Sequence, residues 1–308
     1  MARSGLAYAT VDVFTNEKFK GNQLAIVEVP KSGSVLTHEQ KQNIAKEFNF
    51  SETVFVFAQD EAEKASNEWK INIHTTTEEL PFAGHPVIGT ACLLLGRIRT
   101  NENVIKGAFQ AKAGRIELLY DVVKRSARAG IPHNIRVHQG SLYSDQLQRL
   151  QPKIGRFPAV SPIVSIVKGM TFALIELDSL DTLTFVNTTP FRIETKLDEG
   201  WESSFVACYF YVRLGHSEQG AVRLRTRMIE TDVGEDAATG SAACTLASFL
   251  TIQEGRAQES IQYDIVQGVE MGRRSEIGVV VKLGPGMAVE TVHLSGSSEQ
   301  MMEGIFFL

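Results

Sequence analysis

Four side chains in this sequence stand where acid–base chemistry is physically reasonable, three of them in two glycine turns. Glu52 lies in Ser51-Glu52-Thr53, at the mouth of the apolar run Val54-Phe55-Val56-Phe57. His85 lies in Glu79-Leu-Pro-Phe-Ala-Gly84-His85-Pro86, and Asp236 and Ser241 lie in Gly234-Glu-Asp236-Ala-Ala-Thr239-Gly240-Ser241-Ala. A carboxyl group at the end of an apolar strand can have its pKa raised by desolvation, which suits proton transfer near neutral pH. It can equally do no more than cap a turn. His85 could donate to a developing oxyanion, or hydrogen-bond the backbone. Asp236 could orient a polar ligand group, or complement a helix dipole. Ser241 could bind a carboxylate together with its own N–H, or serve as a plain N-cap. On the residues alone, each choice stays open.

The two glycine turns echo one another. With Gly84 laid on Gly240, an offset of 156 (240 − 84), Glu79 falls on Glu235, His85 on Ser241, Ala91 on Ala247 and Leu94 on Leu250. Each copy is an acidic residue, a small-residue turn and an apolar run at helical spacing. Glycine permits close approach of the backbone to a ligand, and a helix N-terminus presents N–H groups that favour an anion. Two such helix starts, half a chain apart, suggest two related halves that share one anionic ligand. A chance similarity of two ordinary helix starts would give the same pattern.

The elements that must position these turns are mostly short strands. Tyr8–Phe14, Ala25–Val29, Thr53–Phe57, Lys70–His74 and Ile116–Val123 carry the β-branched and aromatic residues of strands. Thr37–Phe48 has an N-cap threonine and helical spacing, and Pro86–Leu95 reads as a helix with proline in its first turn. In the second half, strands are expected at Ile163–Val167, Phe172–Leu177, Phe205–Val212 and Val222–Met228. A helix at Ser241–Gln253 follows, stopped near Gly255, and then strands at Glu259–Gln267, Ile277–Leu283 and Ala288–Leu294. The stretch from Lys124 to Pro162 is richer in Pro, Gly and charge and marks the crossing between halves. The expected domains are 1–125 and 126–308, with a last strand near 298–308 able to return to the first. Mainly antiparallel strands with one long helix per half give an α+β fold.

Composition narrows the class. The chain has 308 residues, enough for two cores, with 43% hydrophobic and 22% charged residues, those of a globular protein. A net charge of −5 and the absence of a basic tract argue against nucleic acid and anionic membranes as partners. No apolar run reaches the about 18 residues of a membrane span. Asp12 interrupts the N-terminal stretch before a signal-peptide core could form. Cys92, Cys208 and Cys244 are scattered without C-x-x-C spacing, which fits reduced, buried thiols and a cytoplasmic location. There is no phosphate loop, dinucleotide fingerprint, nucleophile elbow or H-E-x-x-H. His133 and His138 lie in the crossing at no recognised metal spacing, so no metal and no cofactor are expected.

The motifs together resemble the phenazine-biosynthesis PhzF-like isomerase family. The matching residues are Asp12-Val-Phe-Thr15 with Gly21-Asn22, then Ser51-Glu52-Thr53, then Glu79 to Pro86. Arg227-Met228, Gly234 to Ala242 and Gln267-Gly-Val-Glu-Met-Gly272 follow in the same order. The resemblance implies a diaminopimelate-epimerase-like fold: two similar domains, each a curved sheet around a central helix, with the active site in the cleft between them. It implies a cofactor-free isomerase that moves a proton within a small carboxylic acid, which in the phenazine enzyme is a dihydro-3-hydroxyanthranilate. Glu52 then resembles the general acid/base, and His85 and Asp236 its flanking catalytic groups. Ser51, Gly84, Thr239, Gly240 and Ser241 take substrate-binding positions, with Ser241 and the N–H groups near Gly240 and Gly84 as a carboxylate cradle. Family members are often dimers, so a homodimer is possible.

Racemases of the same fold use one cysteine from each glycine turn. Here those positions are Ala83 and Thr239, so two-thiol racemisation is disfavoured. Two departures from the family pattern bear on the substrate: His74-Thr-Thr76 replaces an aromatic and a proline, and Ala237 replaces a frequent proline. Three other readings stay open. They are an epimerase with Glu52 and His85 as its bases, a small-acid-binding protein without turnover, and a Ser241–His85–Asp236 hydrolase lacking a nucleophile elbow.

Overall fold

Alternating apolar residues near the N-terminus make two strands that return on each other through a tight loop. In the computed structural model, which describes residues 5–31, 36–202, 204–231, 234–255 and 258–308, these are β1 (Gly5–Val13) and β2 (Asn22–Val29). They pair antiparallel with Val11 opposite Leu24. Gly21 closes the loop at φ +70°, where a Cβ would lie 2.2 Å from the Val13 carbonyl oxygen.

Helix α1 (His38–Phe48) then carries the chain over to β3 (Thr53–Phe57), which runs parallel to β2. A parallel pair needs such a crossover. The helix is fixed at its start by a capping box between Thr37 and Gln40, and at its end by Asn49 in the left-handed conformation. Next come α2 (Glu61–Ser66) and β4 (Glu68–His74), the latter antiparallel to β3 with His74 opposite Thr53. A turn held by the Thr75 hydroxyl, which accepts from the N–H groups of Thr77 and Glu78, folds β5 (Glu79–Leu80) back along β4. Helix α3 (Gly84–Gly96) leads to β6 (Val104–Ala111), parallel to β4, and to the antiparallel meander of β7 (Gly114–Asp121) and β8 (Ser126–Gly130).

The order repeats from residue 131. After β9 (Arg136–Tyr143) and α4 (Ser144–Leu150), β10 (Val160–Val167) pairs antiparallel with β11 (Met170–Glu176). Helix α5 (Leu180–Thr184) precedes β12 (Phe205–His216), which is parallel to β11, and β13 (Val222–Glu230) is antiparallel to β12. The short β14 (Gly234–Asp236) folds back on β13 as β5 does on β4. Helix α6 (Gly240–Glu254) leads to β15 (Ser260–Gln267), parallel to β13, and to β16 (Ser275–Leu283), antiparallel to β15. Finally β17 (Val289–Phe307) pairs along its later half with β1, Gly5 opposite Phe307. The chain divides into two compact units, Met1–Gly130 with Ser295–Leu308, and Ile131–Leu294.

In each unit one helix is enclosed because it has no charged face. Every residue of α3 from Gly84 to Leu95 is buried, and α3 packs on β1, β2, β3, β7 and β8. Helix α6 is buried from Ala242 to Thr251 and packs on β10, β11, β15 and β16. A helix that is apolar all round can be stable in water only if it is covered all round. The sheet of each unit therefore curls until early and late strands both reach the helix. Both helices start at the glycines of the sequence repeat.

The sequence reading placed the main strands and the three long helices and missed weaker elements. The Lys124–Pro162 stretch, read as the crossing between halves with no element assigned to it, contains β8, β9 and α4. Its strands alternate buried residues with charged or small exposed ones, so their apolar signal is diluted. Helices α2, α4 and α5 are one or two turns long and carry too few apolar positions to show a period.

Close packing around α3 gives a direct test. A Cβ on Gly89 would lie 2.6 Å from Val13 Cγ2 and 2.8 Å from Leu24 Cδ2, so the helix approaches β1 and β2 only because that side chain is missing. Gly89→Ala is expected to lose about 1–3 kcal/mol in urea unfolding despite alanine's better helix propensity.

Candidate functional site

Glu52 sits between the end of α1 and the start of β3. The left-handed turn at Asn49 stops the helix, and β3 enters the core at Thr53. The Glu52 side chain is 15% exposed, and its Oε2 has no hydrogen-bond partner among the described residues. Burial pushes its pKa up to about 7, and the hydrogen bond from the Ser51 side chain opposes the rise. His85 is the second residue of α3 and is buried, with Nδ1 3.6 Å from Glu52 Oε2. A carboxyl that titrates near neutrality beside an imidazole can both give and take a proton. Gly84 opens α3 after Ala83, whose side chain makes no capping hydrogen bond, so that helix start lacks a side-chain cap.

The second unit presents the other glycine turn. Asp236 ends β14, and the Thr239 hydroxyl donates to its Oδ2 at 2.6 Å. Thr239, not Ser241, is the N-cap of α6. The plain N-cap role considered for Ser241 is thereby removed: Ser241 lies inside the first turn, where its carbonyl accepts from the Thr245 hydroxyl at 2.7 Å. Arg227 holds β14 against β13 through a two-pronged ion pair with Glu235, both distances 2.7 Å, and donates to the Leu183 carbonyl at 3.0 Å. This pair is buried and keeps the turn's acidic edge in register.

One residue that supports this turn was not among the candidates from the sequence. Gln267 is fully buried at the end of β15, and its amide is fully used. Its Nε2 donates to the Asp236 carbonyl at 2.9 Å and to the Thr239 hydroxyl at 3.0 Å. Its Oε1 accepts from the Thr239 N–H at 3.3 Å and from the Tyr209 hydroxyl at 3.0 Å. A signal for Gln267 was present in the sequence, since it falls in the inward phase of Ile261, Tyr263 and Ile265. A polar residue in that phase needs internal partners.

Other flagged residues take structural places. His133 Nδ1 lies 2.8 Å from the Ile131 carbonyl. His138 accepts from the Asp198 N–H through Nδ1 and so donates Nε2–H to the Ser165 hydroxyl at 2.8 Å. Cys92 and Cys244 are buried in α3 and α6, and burial raises both thiol pKa values, that of Cys92 to about 11. Neither thiol is held as a thiolate. His74 is fully buried, and burial, aided by the Lys41 charge, lowers its pKa to about 4. No helix among the described residues is long and apolar enough to cross a membrane.

The architecture is shared with known proteins. A hydroxyproline epimerase from Agrobacterium vitis superimposes with a TM-score of 0.61 at 13% identity, over 99% of this chain and 93% of that one. A Bacillus anthracis phenazine biosynthesis protein of the PhzF family gives a TM-score of 0.74 at 17% identity, over 99% and 100% of the two chains. The fold is thus the diaminopimelate-epimerase-like α+β fold, two similar units each with a sheet around a central helix. The model of the phenazine biosynthesis-like protein family matches residues 11–304. The trans-2,3-dihydro-3-hydroxyanthranilate isomerase of Pseudomonas aeruginosa is 29% identical over 307 residues, 98% of this chain and 99% of that protein. The chain belongs to the phenazine biosynthesis-like family and is an isomerase of that family.

Two measurements follow from the geometry. Well below pH 4.5 Glu52 is protonated in folded and unfolded chains alike; as pH rises from about 4.5 to about 7 the unfolded chain releases this proton while the folded protein keeps it, and stability is lost. The displacement from 4.5 to about 7 corresponds to about 3 kcal/mol. Glu52→Gln should therefore unfold like wild type at pH 4 and be more stable by up to about 3 kcal/mol at pH 8. Gln267→Leu keeps the volume but strands the buried Thr239 N–H and Asp236 carbonyl and leaves the Tyr209 hydroxyl only its Thr226 partner, and is expected to lose about 3 kcal/mol in urea at pH 7.

Proposed function

We propose that this protein catalyses cofactor-independent proton transfer on a small cyclic or unsaturated carboxylic acid, with Glu52 as the general acid/base. The observation that carries the reading is the Glu52 carboxyl itself: buried, with a pKa raised to about 7, and 3.6 Å from His85 Nδ1. Near neutrality such a group is populated in both protonation states, so one carboxyl can take a proton from one carbon and return it to another. His85 steadies the charge on Glu52 and relays protons. Asp236, fixed by Thr239 and Gln267, holds an amino or hydroxyl group of the substrate. The substrate carboxylate is bound by Ser51, Thr239 and Ser241 with the N–H groups at Gly84 and Gly240, because helix starts offer N–H donors and a favourable dipole.

Resemblance to the P. aeruginosa enzyme selects trans-2,3-dihydro-3-hydroxyanthranilate as the first compound to test, and His74 is a reason to test neighbours of that compound as well. An epimerase reading is supported by the same pair of groups, Glu52 and His85, and predicts inversion of one centre without movement of a double bond. Thiol-based racemisation has no support, with Ala83 and Thr239 at the two turns and both nearby cysteine thiols raised in pKa.

Proton NMR in D₂O distinguishes these readings. With the dihydro-hydroxyanthranilate or a related cyclic acid, wild type should place deuterium on a ring carbon, and Glu52→Gln should lower that rate by at least about 10²-fold. The first step needs the carboxylate, so kcat/KM should fall as pH drops through about 7, not through 4.5. Exchange that survives in Glu52→Gln would remove Glu52 from the mechanism. Binding without exchange would mark a protein that holds small acids without turning them over.

A further inference from the structure

A second cluster of ligating groups lies in the first unit, apart from the Glu52–His85 pair. His38 begins α1, His74 ends β4 and Glu79 begins β5, and one ligand atom from each lies within 4.8 Å of the others. The fold brings them together in two ways. The turn at Thr75 folds β5 onto β4 so that His74 stands opposite Glu79. Helix α1 sets its first residue above the same place, with His38 Nδ1 3.8 Å from Glu79 Oε2 and the two imidazole rings 5.3 Å apart.

The His74 ring is oriented by a partner on α1. Gln42, one turn after His38 on the same helix face, donates its Nε2 to the Thr75 carbonyl at 2.8 Å. This fixes the amide so that Oε1 faces His74, 3.2 Å from Nδ1. The proton therefore sits on Nδ1, and Nε2 keeps its lone pair. That Nε2 is fully buried and has no hydrogen-bond partner among the described residues, an arrangement that costs free energy in a site that only packs. A metal ion is the partner that such a nitrogen fits. A ligating histidine commonly donates its other N–H to a neighbouring oxygen, which sets tautomer and ring orientation.

We propose that His38, His74 and Glu79 bind one divalent transition-metal ion, with Gln42 as the positioning residue. Two imidazoles and one carboxylate suit Zn²⁺, which takes such sets with water as a fourth ligand. Carbonyl-rich and multi-carboxylate cages for Ca²⁺ or Mg²⁺ are not what this cluster offers. Ligands of a tetrahedral zinc stand about 3.4 Å apart, so the cluster must contract. The His38 side chain is 64% exposed and can swing inward, whereas His74 is held. The neighbouring Lys41 ammonium is drawn to Asn72 Oδ1 at 2.7 Å, and Glu79 offsets its charge. His74 pairs with Thr53, the residue after Glu52, so a bound ion would clip α1 to the hairpin next to that carboxyl. Sequence spacing gives no hint of the site, because its ligands come from three elements.

The test is a zinc titration of the chelator-stripped full-length protein, followed by calorimetry and by the visible spectrum with Co²⁺. One ion per chain is expected, with the intense d–d bands of a four-coordinate cobalt site and a raised melting temperature on zinc addition. His38→Ala and His74→Phe should each weaken zinc binding at least tenfold and abolish the cobalt bands. Gln42→Ala should weaken zinc binding about tenfold, and His216→Ala, an exposed histidine on β12, should leave it unchanged. His38 is exposed, so its alanine variant tests the site without threatening the fold. Wild type that binds no zinc, or binds it as well after His38→Ala and His74→Phe as before, would overturn the proposal.

Discussion

Everything else in this structure depends on two helices that cannot face water. Helices α3 and α6 carry no Asp, Glu, Lys or Arg through their buried turns and only small hydroxyls and His85 besides apolar residues, and a helix of that kind is stable only when a sheet encloses it. Enclosure fixes the curl of each sheet, and the parallel β2–β3 and β11–β12 steps bring early strands around to the helix. It also fixes where the two helices start. Their first turns, at Gly84 and Gly240, are the places where backbone donors are not consumed by the helix itself. A fold that must bury a helix completely thus leaves backbone donors unconsumed at its N-terminal end.

The chemistry of the first unit is the local cost of that arrangement. Glu52 enters the protein at the head of a buried strand, and its carboxyl is desolvated by burial beside His85 of α3. Burial that raises a carboxyl's pKa destabilises the folded state at neutral pH. The second unit shows the opposite strategy. There the Asp236 turn is fastened by Thr239, Gln267 and Tyr209 in a network that uses each hydrogen-bonding group of the Gln267 amide. One turn is poised and the other is clamped.

The internal repeat links these observations. Strand pairings of the first unit recur in order in the second, with the same parallel steps and the same short strand before the central helix. The residues at equivalent positions have diverged in chemistry, Gly-His at the start of α3 and Gly-Ser at the start of α6. The residue types at those turns also separate this chain from cysteine-based members of the same fold.

Local sequence determined a good deal. The strand Thr53–Phe57 carries continuous apolar residues because it is buried on both faces, and the threonine cap, the proline in the first turn of α3 and Gly255 after α6 mark helix ends by chemistry that acts within a few residues. The glycine turns, their repeat and the motif residues around Glu52, His85 and Asp236 were legible for the same reason. Only the tertiary structure decided which of those groups touch. Glu52 meets His85 because a parallel crossover sets β3 against α3, and no periodicity encodes that contact. Gln267 reaches Asp236 and Thr239 across strands far apart in sequence, and Thr239 rather than Ser241 became the cap of α6 because the turn's hydrogen bonds settled on Asp236. His38, His74 and Glu79 converge through a helix start that the sequence shows and a hairpin that it does not. Propensity, capping and pattern act over a few residues, whereas sites are made by contacts between elements, and those are fixed only when the sheet closes on its helix.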